Sequence, residues 1–325
     1  MLNPQLDRRG ELLHLLTTEG LPRRHVERLL DIAAGFAAAD SAAAGATAHD
    51  GATGAPLATP LDLPLFLCLP AGEADLRQAN EAAAVRLGLR PVALDAAASA
   101  DGAPVLAPAH IAAGLPQGIL VLRHPASGAA VSAAGAAAPG LRIINAGDGI
   151  HADPLPALAR VAAMLRAKQD LTNLAVAVVG DIHHSAVARS LIHALTTLGV
   201  PEVRAAAPRT LLPDGLPQLG VRACATLHDC LTDADVIIVL PLRVERLSGA
   251  LLPSAREYAA HYGLTLARLT TAKPDALLLP AGPLTPGIEA DGDVAASLGG
   301  IEAELAQSEQ HLRQAAFSLL AGGVA

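Results

Sequence analysis

Residues 175–190 have the sequence AVAVVGDIHHSAVARS, and this stretch determines the predicted fold. A continuous apolar run ends at Gly180-Asp181, and a helical pattern follows. This order is typical of a buried parallel β-strand, a tight turn and a helix. Ligands of open α/β sheets bind at the carboxyl ends of such strands. The turn at 180–185 is therefore a predicted ligand-binding position.

The rest of the chain alternates between short apolar runs and helical patterns. Further strands are predicted at 63–69, 92–94, 119–123, 142–149, 202–206, 236–240 and 276–279. Helices are predicted at 11–37 (two, split at Gly20-Leu21-Pro22), 74–88, 126–138, 154–168, 187–198, 227–231, 255–262 and 301–320. Residues 38–60, rich in Ala and Gly, are predicted to be a mobile loop or insert, and 99–108 a loop. The alternation predicts an α/β fold with two doubly wound parallel-sheet domains joined by helices.

Composition argues against several classes of function. The chain has 325 residues, enough for two domains, and 52% of them are hydrophobic. Its net charge of −8 and its 2% aromatic content argue against nucleic acid or an anionic membrane as a partner. The N-terminus lacks a signal-peptide pattern, and the 3 cysteines have no metal-ligand spacing. We expect a cytoplasmic protein with reduced thiols and no membrane span.

Metal and cofactor sites are not expected. His183, His184 and His193 lie in one region, but no carboxylate or cysteine completes a recognisable metal-ligand spacing with them. Gly180 stands alone, so neither a Walker A motif nor a dinucleotide fingerprint is present.

Residues 180–190 resemble the G-D-x-x-H-S-R-V-A-R-S segment of aspartate carbamoyltransferases. Residues 12–22, 208–213, 251–254 and 262–265 are also similar to the longer bacterial members. The resemblance implies transfer of a carbamoyl group from carbamoyl phosphate to aspartate, by anion clamps and hydrogen-bond donors and without a cofactor. It also implies a carbamoyl-phosphate-type domain at 1–151 plus 295–325, and an aspartate-type domain at 152–294. The family's substrate-binding arginine falls at Ala186.

The family's phosphate-binding S-T-R-T-R motif corresponds to residues 73–77 here, where only Arg77 matches. Glu73 and Asp75 are acids, which stabilise a helix N-terminus but repel a phosphate. The family's next loop supplies a serine and a lysine to a neighbouring subunit. Ser99 corresponds to the serine and Asp101 to the lysine, although an ordinary solvated loop also accounts for this stretch.

Arg123-His124-Pro125 is similar to the family's R-H-P, whose arginine contacts carbamoyl phosphate. A guanidinium at the end of a buried strand is costly unless it is paired. Two interpretations stay open: residual anion binding by Arg123, or an ion pair with Asp75 or Asp148.

The catalytic H-P-T-Q of the family corresponds to Asp153-Pro154-Leu155-Pro156. An ionised Asp153 cannot donate a hydrogen bond, and Pro156 has no side-chain amide. His151 lies two residues before Asp153 and is a candidate substitute, but an exposed turn residue is the favoured interpretation. Residues 145–149 match the family closely, and that match is largely architectural.

The family's aspartate-binding R-x-Q-K-E-R motif corresponds to residues 241–246, with Pro241 at the arginine position. Arg243 is a residual anion-binding candidate, or it forms a surface ion pair with Glu245 or a neighbour. The late H-P-G-P-M-N-R-G loop corresponds to 280–287, which keeps its turn residues and lacks the histidine and arginine.

Fold positions are thus retained while ligand-contacting charges are lost or reversed. The sequence predicts a catalytically inactive homologue with a structural or regulatory role linked to pyrimidine biosynthesis. The expected assembly is a homotrimer, or a hetero-oligomer with an active carbamoyltransferase or a dihydroorotase-like protein. The alternatives are an active carbamoyltransferase of altered specificity, using Arg77, Arg123, His151 and Arg243, and a sensor of an amino acid or another metabolite.

Overall fold

A computed structural model describes residues 3–46, 62–95, 97, 100, 102, 104, 106–243 and 254–322. The chain forms two compact units, which are Met1–Leu155 with Gln307–Ala325, and Pro156–Ala306. Each unit has its own parallel β-sheet flanked by helices. The predicted class, two parallel-sheet α/β domains, is confirmed. The functional domain boundaries, 1–151 plus 295–325 and 152–294, stay a prediction.

The first unit is built on a four-stranded sheet. Its strands are β1 (Pro64–Cys68), β2 (Arg90–Ala93), β3 (Gly118–His124) and β4 (Leu141–Asp148). The helices that begin in this unit are α1 (Arg23–Ala46), α2 (Ala74–Arg86), α3 (Ala107–Gly114), α4 (Ala129–Ala136) and α5 (Pro154–Lys168). The strand order β2-β1-β3-β4 reverses direction between β1 and β3. In a doubly wound sheet this reversal is where a ligand crevice opens.

The second unit has a five-stranded sheet of order β7-β6-β5-β8-β9. Its strands are β5 (Ala175–Val179), β6 (Glu202–Ala206), β7 (Val221–Ala223), β8 (Val236–Val239) and β9 (Leu277–Pro280). Its helices are α6 (Ala186–Leu198), α7 (Leu227–Leu231), α8 (Ala255–Tyr262), α9 (Leu266–Leu269) and α10 (Gly292–Ser297). The last helix, α11 (Gly299–Gly322), begins in the second unit and ends in the first, which includes Gln307–Ala325.

The 175–190 stretch folds as predicted. Strand β5 is buried, and α6 begins after Ser185, whose hydroxyl accepts a hydrogen bond from the N–H of Ala188 at 3.1 Å. Gly180 between them has φ +121°, and a Cβ there would lie 2.9 Å from the carbonyl oxygen of Leu240. Because no side chain fits that space, the tight turn at the end of β5 requires glycine.

The helix predicted before Gly20 is absent, and this part of the prediction was wrong. Residues 11–22 are irregular, and Leu15 forms a parallel bridge with Ile144 of β4. The N–H of Leu15 donates to Ile143 at 2.9 Å, and its carbonyl accepts from Asn145 at 2.9 Å. Leu15 and Leu16 are fully buried. Pairing with the edge of β4 satisfies backbone groups that a helix would have paired internally.

The predicted loop at 38–60 was wrong over its first part, because α1 continues to Ala46. Residues 47–60 lie outside the described residues. Helix α3, which begins at the end of the predicted loop at 99–108, was not predicted, and neither were β7, α9 and α10. Helix α11 agrees with the predicted 301–320. Among the described residues, no helix is long and apolar enough to cross a membrane.

Candidate functional site

The candidate site of the first unit lies where its strand order reverses. Cys68, the last residue of β1, pairs with Leu122 of β3, so Leu69 and Arg123 follow at the same edge of the sheet. Helix α2 begins shortly after β1, and the 149–153 turn follows β4. The predicted residues at 73–77, 123 and 151–153 therefore all belong to segments at the carboxyl ends of strands of the first sheet.

Arg123 is held by two carboxylates of its own chain. Its Nε lies 2.9 Å from Oε1 of Glu73, and its NH1 lies 3.8 Å from Oδ2 of Asp153. NH1 also donates to the carbonyl oxygen of Ala146 at 2.8 Å. The Arg123 side chain is 30% exposed and that of Asp153 is 12% exposed. We call Arg123, Glu73, Asp153 and the Ala146 carbonyl the Arg123 cluster.

The expected partners of Arg123 were wrong in identity. Asp75 is exposed in the first turn of α2, and Asp148 is engaged elsewhere. Glu73, at the N-cap of α2, makes no side-chain cap hydrogen bond, and its carboxylate contacts Arg123 instead. The interpretation of Arg123 as an ion-paired residue holds, with different acids.

Asp148 is fully buried and organises the turn after β4. Its Oδ1 accepts from the Asn145 side chain at 2.9 Å and from the N–H of Ala152 at 3.0 Å, and its Oδ2 accepts from the N–H of Gly128 at 2.9 Å. Nδ1 of His151 lies 3.0 Å from Oδ2. His151 is half-buried, so the prediction of an exposed turn residue was wrong, although it does lie in a turn.

Gly147 shows how tightly the Arg123 cluster is packed. Its φ is +116°, and a Cβ there would lie 3.1 Å from NH1 of Arg123 and 3.2 Å from Oδ2 of Asp153. Any side chain at this position would compete with the two charged groups for space. The glycine allows the backbone to approach the ion pair.

Arg77 lies on α2 and is half-buried. Its NH2 donates to the carbonyl oxygen of Leu69, at the end of β1, over a long 3.5 Å. Arg77 thus lies near the point where the strand order of the first sheet reverses. Residual anion binding by Arg77 stays a prediction. Ser99 and Asp101 lie outside the described residues.

The predicted positions of the second unit lie at the carboxyl ends of β5 and β8, where its strand order reverses. Ala186 is the buried first residue of α6. Pro241 follows β8, and a Cβ at Gly282 would lie 3.2 Å from its Cγ and 3.8 Å from NH2 of Arg243. Pro156 lies in the first turn of α5, where its carbonyl accepts from NH1 of Arg160 at 2.8 Å. Glu245 lies outside the described residues, so its predicted pairing with Arg243 stays a prediction.

Sequence reasoning missed several buried polar groups of the second unit. Asp181 pairs with Nδ1 of His184 at 2.9 Å, and Glu289 accepts from the N–H groups of Leu242 at 2.6 Å and Thr285 at 2.7 Å. The hydroxyl of Tyr258 is buried and has no hydrogen-bond partner among the described residues. Burial, and then the charges of Glu289 and Asp181, raise the pKa of Tyr258. Gly180-Asp181 was the available signal for the first pair, while nothing in the sequence marks Glu289 or Tyr258.

No protein-family model matches this sequence. Solved structures do. The ornithine carbamoyltransferase of Pyrococcus furiosus aligns with a TM-score of 0.75 at 20% identity, over 95% of this chain and 97% of that one. The aspartate transcarbamoylase of Trypanosoma cruzi, in complex with carbamoyl phosphate and aspartate, aligns with a TM-score of 0.75 at 19% identity, over 97% and 98%.

This chain has the carbamoyltransferase fold. The ornithine carbamoyltransferase of Thermus thermophilus also matches, with a TM-score of 0.73 at 21% identity over 94% of this chain and 98% of that one. Because ornithine and aspartate enzymes match equally well, the carbamoyltransferase fold does not select an acceptor. In the part of the chain that the structure describes, no group of three or more His, Cys, Asp or Glu side chains could hold a metal ion.

Proposed function

We propose that this protein is a catalytically inactive carbamoyltransferase homologue of the aspartate type, with a structural or regulatory role in the cytoplasm linked to pyrimidine biosynthesis. The observation that carries the proposal is the neutralisation of Arg123 by Glu73 and Asp153. Arg123 corresponds to the arginine of the R-H-P motif that contacts carbamoyl phosphate in the aspartate carbamoyltransferases this chain resembles. Here its charge is met by carboxylates of the same chain.

A phosphate group next to Arg123 would also lie next to two negative charges. Two like charges about 4 Å apart repel by roughly 1 kcal/mol in water and about 4 kcal/mol near a protein surface. Each carboxylate would therefore cost about as much as a good cationic contact contributes. Glu73 and Asp153 are half-buried or better, so salt screens them only in part.

The other positions that the resemblance assigns to substrate support the same proposal. Ala186 and Pro241 carry no polar side-chain atom, and Pro156 has no amide. Transition-state stabilisation in this chemistry depends on rigid donors, and loss of one donor costs about 3–4 kcal/mol. Loss of several donors together removes catalysis while leaving the fold intact.

Binding of carbamoyl phosphate tests the proposal. We expect no thermal shift of the wild-type protein at millimolar carbamoyl phosphate. The variant Glu73→Gln/Asp153→Asn releases Arg123 from its carboxylates and should show a ligand-dependent rise in Tm, because a ligand that binds only the native state stabilises it. Asp75→Asn is the matched control, since this exposed acid lies on the same helix turn as Glu73.

An activity assay completes the test. Wild-type protein should form no carbamoyl product from carbamoyl phosphate with either aspartate or ornithine above the uncatalysed rate. A wild-type thermal shift equal to that of the double variant, or product formation well above background, would overturn the proposal.

A second candidate function is an active carbamoyltransferase of altered specificity. The Asp148–His151 pair favours it, because a buried carboxylate that contacts Nδ1 at 3.0 Å fixes the orientation of the imidazole, and histidine is a common acid–base group. Phosphate release from carbamoyl phosphate should be measured against a panel of amines. Release that disappears in His151→Asn would support this candidate, and no release with any amine would exclude it.

The proposed assembly is a homotrimer, or a hetero-oligomer with an active carbamoyltransferase or a dihydroorotase-like protein. Large apolar side chains exposed on the first unit support association. They are Val85, Val92, Leu106 and Val131. Strand β2 is exposed at all four residues, and among the described residues it pairs with β1 alone, at the edge of the first sheet. Exposed apolar side chains beside an open sheet edge are features of an association surface.

A further inference from the structure

Two of the three cysteines, Cys224 and Cys230, belong to the second unit, whereas the Arg123 cluster belongs to the first. Cys224 directly follows β7, and its N–H donates to the carbonyl oxygen of Ala205 at 2.8 Å, which extends the β6–β7 pairing by one residue. Cys230 lies on α7, whose N-cap Thr226 accepts from the N–H of Asp229 at 3.0 Å. The strand and the capped helix thus fix both backbones.

The two side chains meet at the edge of one apolar core. Cys230 is fully buried within the cluster that contains Leu227, Leu231 and Leu264, and Cys224 packs against this cluster from a half-exposed position. The two thiols are near enough to influence each other's pKa, and Sγ of Cys224 donates to the carbonyl oxygen of Arg222 at 3.9 Å. Cys224 is therefore accessible to small solutes, and Cys230 is shielded from them.

Charged groups around the pair favour a thiolate at the outer position. Arg204 of β6 and Arg222 of β7 flank Cys224, both bound to the single carboxylate of Glu202, and Asp229 of α7 opposes them. The neighbouring thiol of Cys230, and then Arg222 and Arg204, lower the pKa of Cys224 to about 7 against the effect of burial. The thiol of Cys224 and burial raise the pKa of Cys230.

We propose that Cys224 and Cys230 form a reversible disulfide when the protein meets a hydroperoxide. The Cys224 thiolate attacks the outer peroxide oxygen, the O–O bond breaks, and the alkoxide or hydroxide that leaves takes a proton from water. This step leaves a sulfenic acid on Cys224. The Cys230 sulfur then attacks the Cys224 sulfur, the S–O bond breaks, and the departing hydroxide takes the Cys230 proton and leaves as water. Overall, two thiols are oxidised and one peroxide is reduced to water and an alcohol, or to two waters.

The arrangement assigns different roles to the two sulfurs. A low-pKa, accessible thiol beside a second thiol is the arrangement of redox-sensor cysteines. Disulfides in a reducing compartment are usually transient or redox-sensing. The sequence expectation of reduced structural thiols is thereby extended, since the resting pair is reduced and oxidation is the response.

Peroxide titration of the full chain tests the inference. The reduced wild-type protein is treated with increasing hydrogen peroxide at pH 7, quenched by alkylation and digested, and disulfide-linked peptides are identified by mass spectrometry. We expect an intramolecular Cys224–Cys230 link that dithiothreitol reverses. In Cys230→Ala, Cys224 should accumulate as a sulfenic acid that dimedone traps, whereas Cys224→Ser should leave Cys230 as a thiol.

A second readout separates this role from simple packing. Removing the side chain of Cys230 should slow alkylation of Cys224 by iodoacetamide at pH 7 by roughly fivefold, which is the fall in thiolate fraction when a pKa near 7 rises by about one unit. Cys68→Ala, which removes the buried cysteine of the first unit, is the control and should change neither result. The inference is overturned if peroxide yields no Cys224–Cys230 link, or if Cys230→Ala leaves the alkylation rate of Cys224 unchanged.

Discussion

Arg123 illustrates how much a single residue depends on its neighbours. A guanidinium at the end of a buried strand needs a counter-charge, and the sequence offered four nearby acids. Packing selected Glu73 and Asp153, because Asp148 already accepts from Asn145, Gly128, Ala152 and His151. A positive charge retained at a family position is therefore weak evidence of ligand binding until its partners are known.

His14 carries a residue-scale prediction about pH. It is 6% exposed, and its Nδ1 accepts from the N–H of Ile143 at 3.0 Å. Burial, and then the charge of Arg142, lower the pKa of His14 from 6.5 to about 4. Between these values the unfolded chain binds more protons than the folded one, so stability rises with pH through this window. The contribution is complete above pH 6.5 and is lost as the pH falls towards 4, by about 2–3 kcal/mol.

His14→Asn should remove this pH dependence, because the amide oxygen of asparagine can accept from Ile143 and does not titrate in this range. Urea unfolding of both proteins at pH 7 and pH 4.5 measures the effect. The wild type should lose about 2 kcal/mol more than the variant between the two pH values. His261→Asn, which changes an exposed histidine of α8, is the control. Equal losses in wild type and His14→Asn would contradict the prediction.

At the scale of elements, the second half of α1 is held by one carboxylate. Asp40 contacts NH1 of Arg86 on α2 at 2.9 Å and Nε2 of His311 on α11 at 2.9 Å. The guanidinium of Arg86 also lies 5.6 Å from the ring centre of Phe36. The Arg86 guanidinium and then the hydrogen bond from His311 hold the pKa of Asp40 below its usual value. Three helices of the first unit thus meet at this acid.

Asp40→Asn should destabilise the protein by about 1–2 kcal/mol, because the amide keeps the shape and loses the charge-assisted hydrogen bonds. The partial exposure of Asp40 limits the loss. Urea unfolding gives the magnitude, and hydrogen exchange over residues 36–46 should rise more than over β3. Asp31→Asn, an exposed acid on the same helix, is the control and should change stability by less than about 0.5 kcal/mol. Unchanged exchange at 36–46 would contradict the prediction.

The elements differ in how well the sequence predicts them. Strands β3, β5 and β8 are continuous apolar runs buried on both sides, and such runs identify parallel strands. The end of α1 contains alanine, serine and one acid without an apolar period, so the sequence resembles a loop. Asp40 joins this part of the helix to residues that lie 46 and 271 positions away. Local patterns carry no information about such partners.

At the scale of the whole molecule, fold and site were predictable to different degrees. The order of strands and helices predicted two parallel-sheet α/β domains, and the resemblance of residues 180–190 pointed to the carbamoyltransferase fold, which aligns with solved structures over 93–97% of the chain at 18–21% identity. The order of strands and helices did not predict which acids pair with Arg123, because the ion pair with Glu73 joins residues 50 positions apart. Turn glycines such as Gly147 and Gly180 fix the backbone whatever side chains line the crevice.

Association is the remaining prediction of the whole molecule. Val85 on α2 and Val92 on β2 are exposed by 67% and 39%, and β2 is the edge strand of the first sheet in the described part of the chain. If this edge is covered in a homotrimer, Val85→Glu/Val92→Lys should dissociate it, because charges buried in an interface without partners cost several kcal/mol. Light scattering after size exclusion at micromolar concentration should give three times the chain mass for wild type and one chain mass for the variant. Leu266→Lys, which charges an exposed apolar residue of the second unit, should stay trimeric. A monomeric wild type would contradict the homotrimer, and a mixed complex formed on co-expression with an active carbamoyltransferase would then favour the hetero-oligomer.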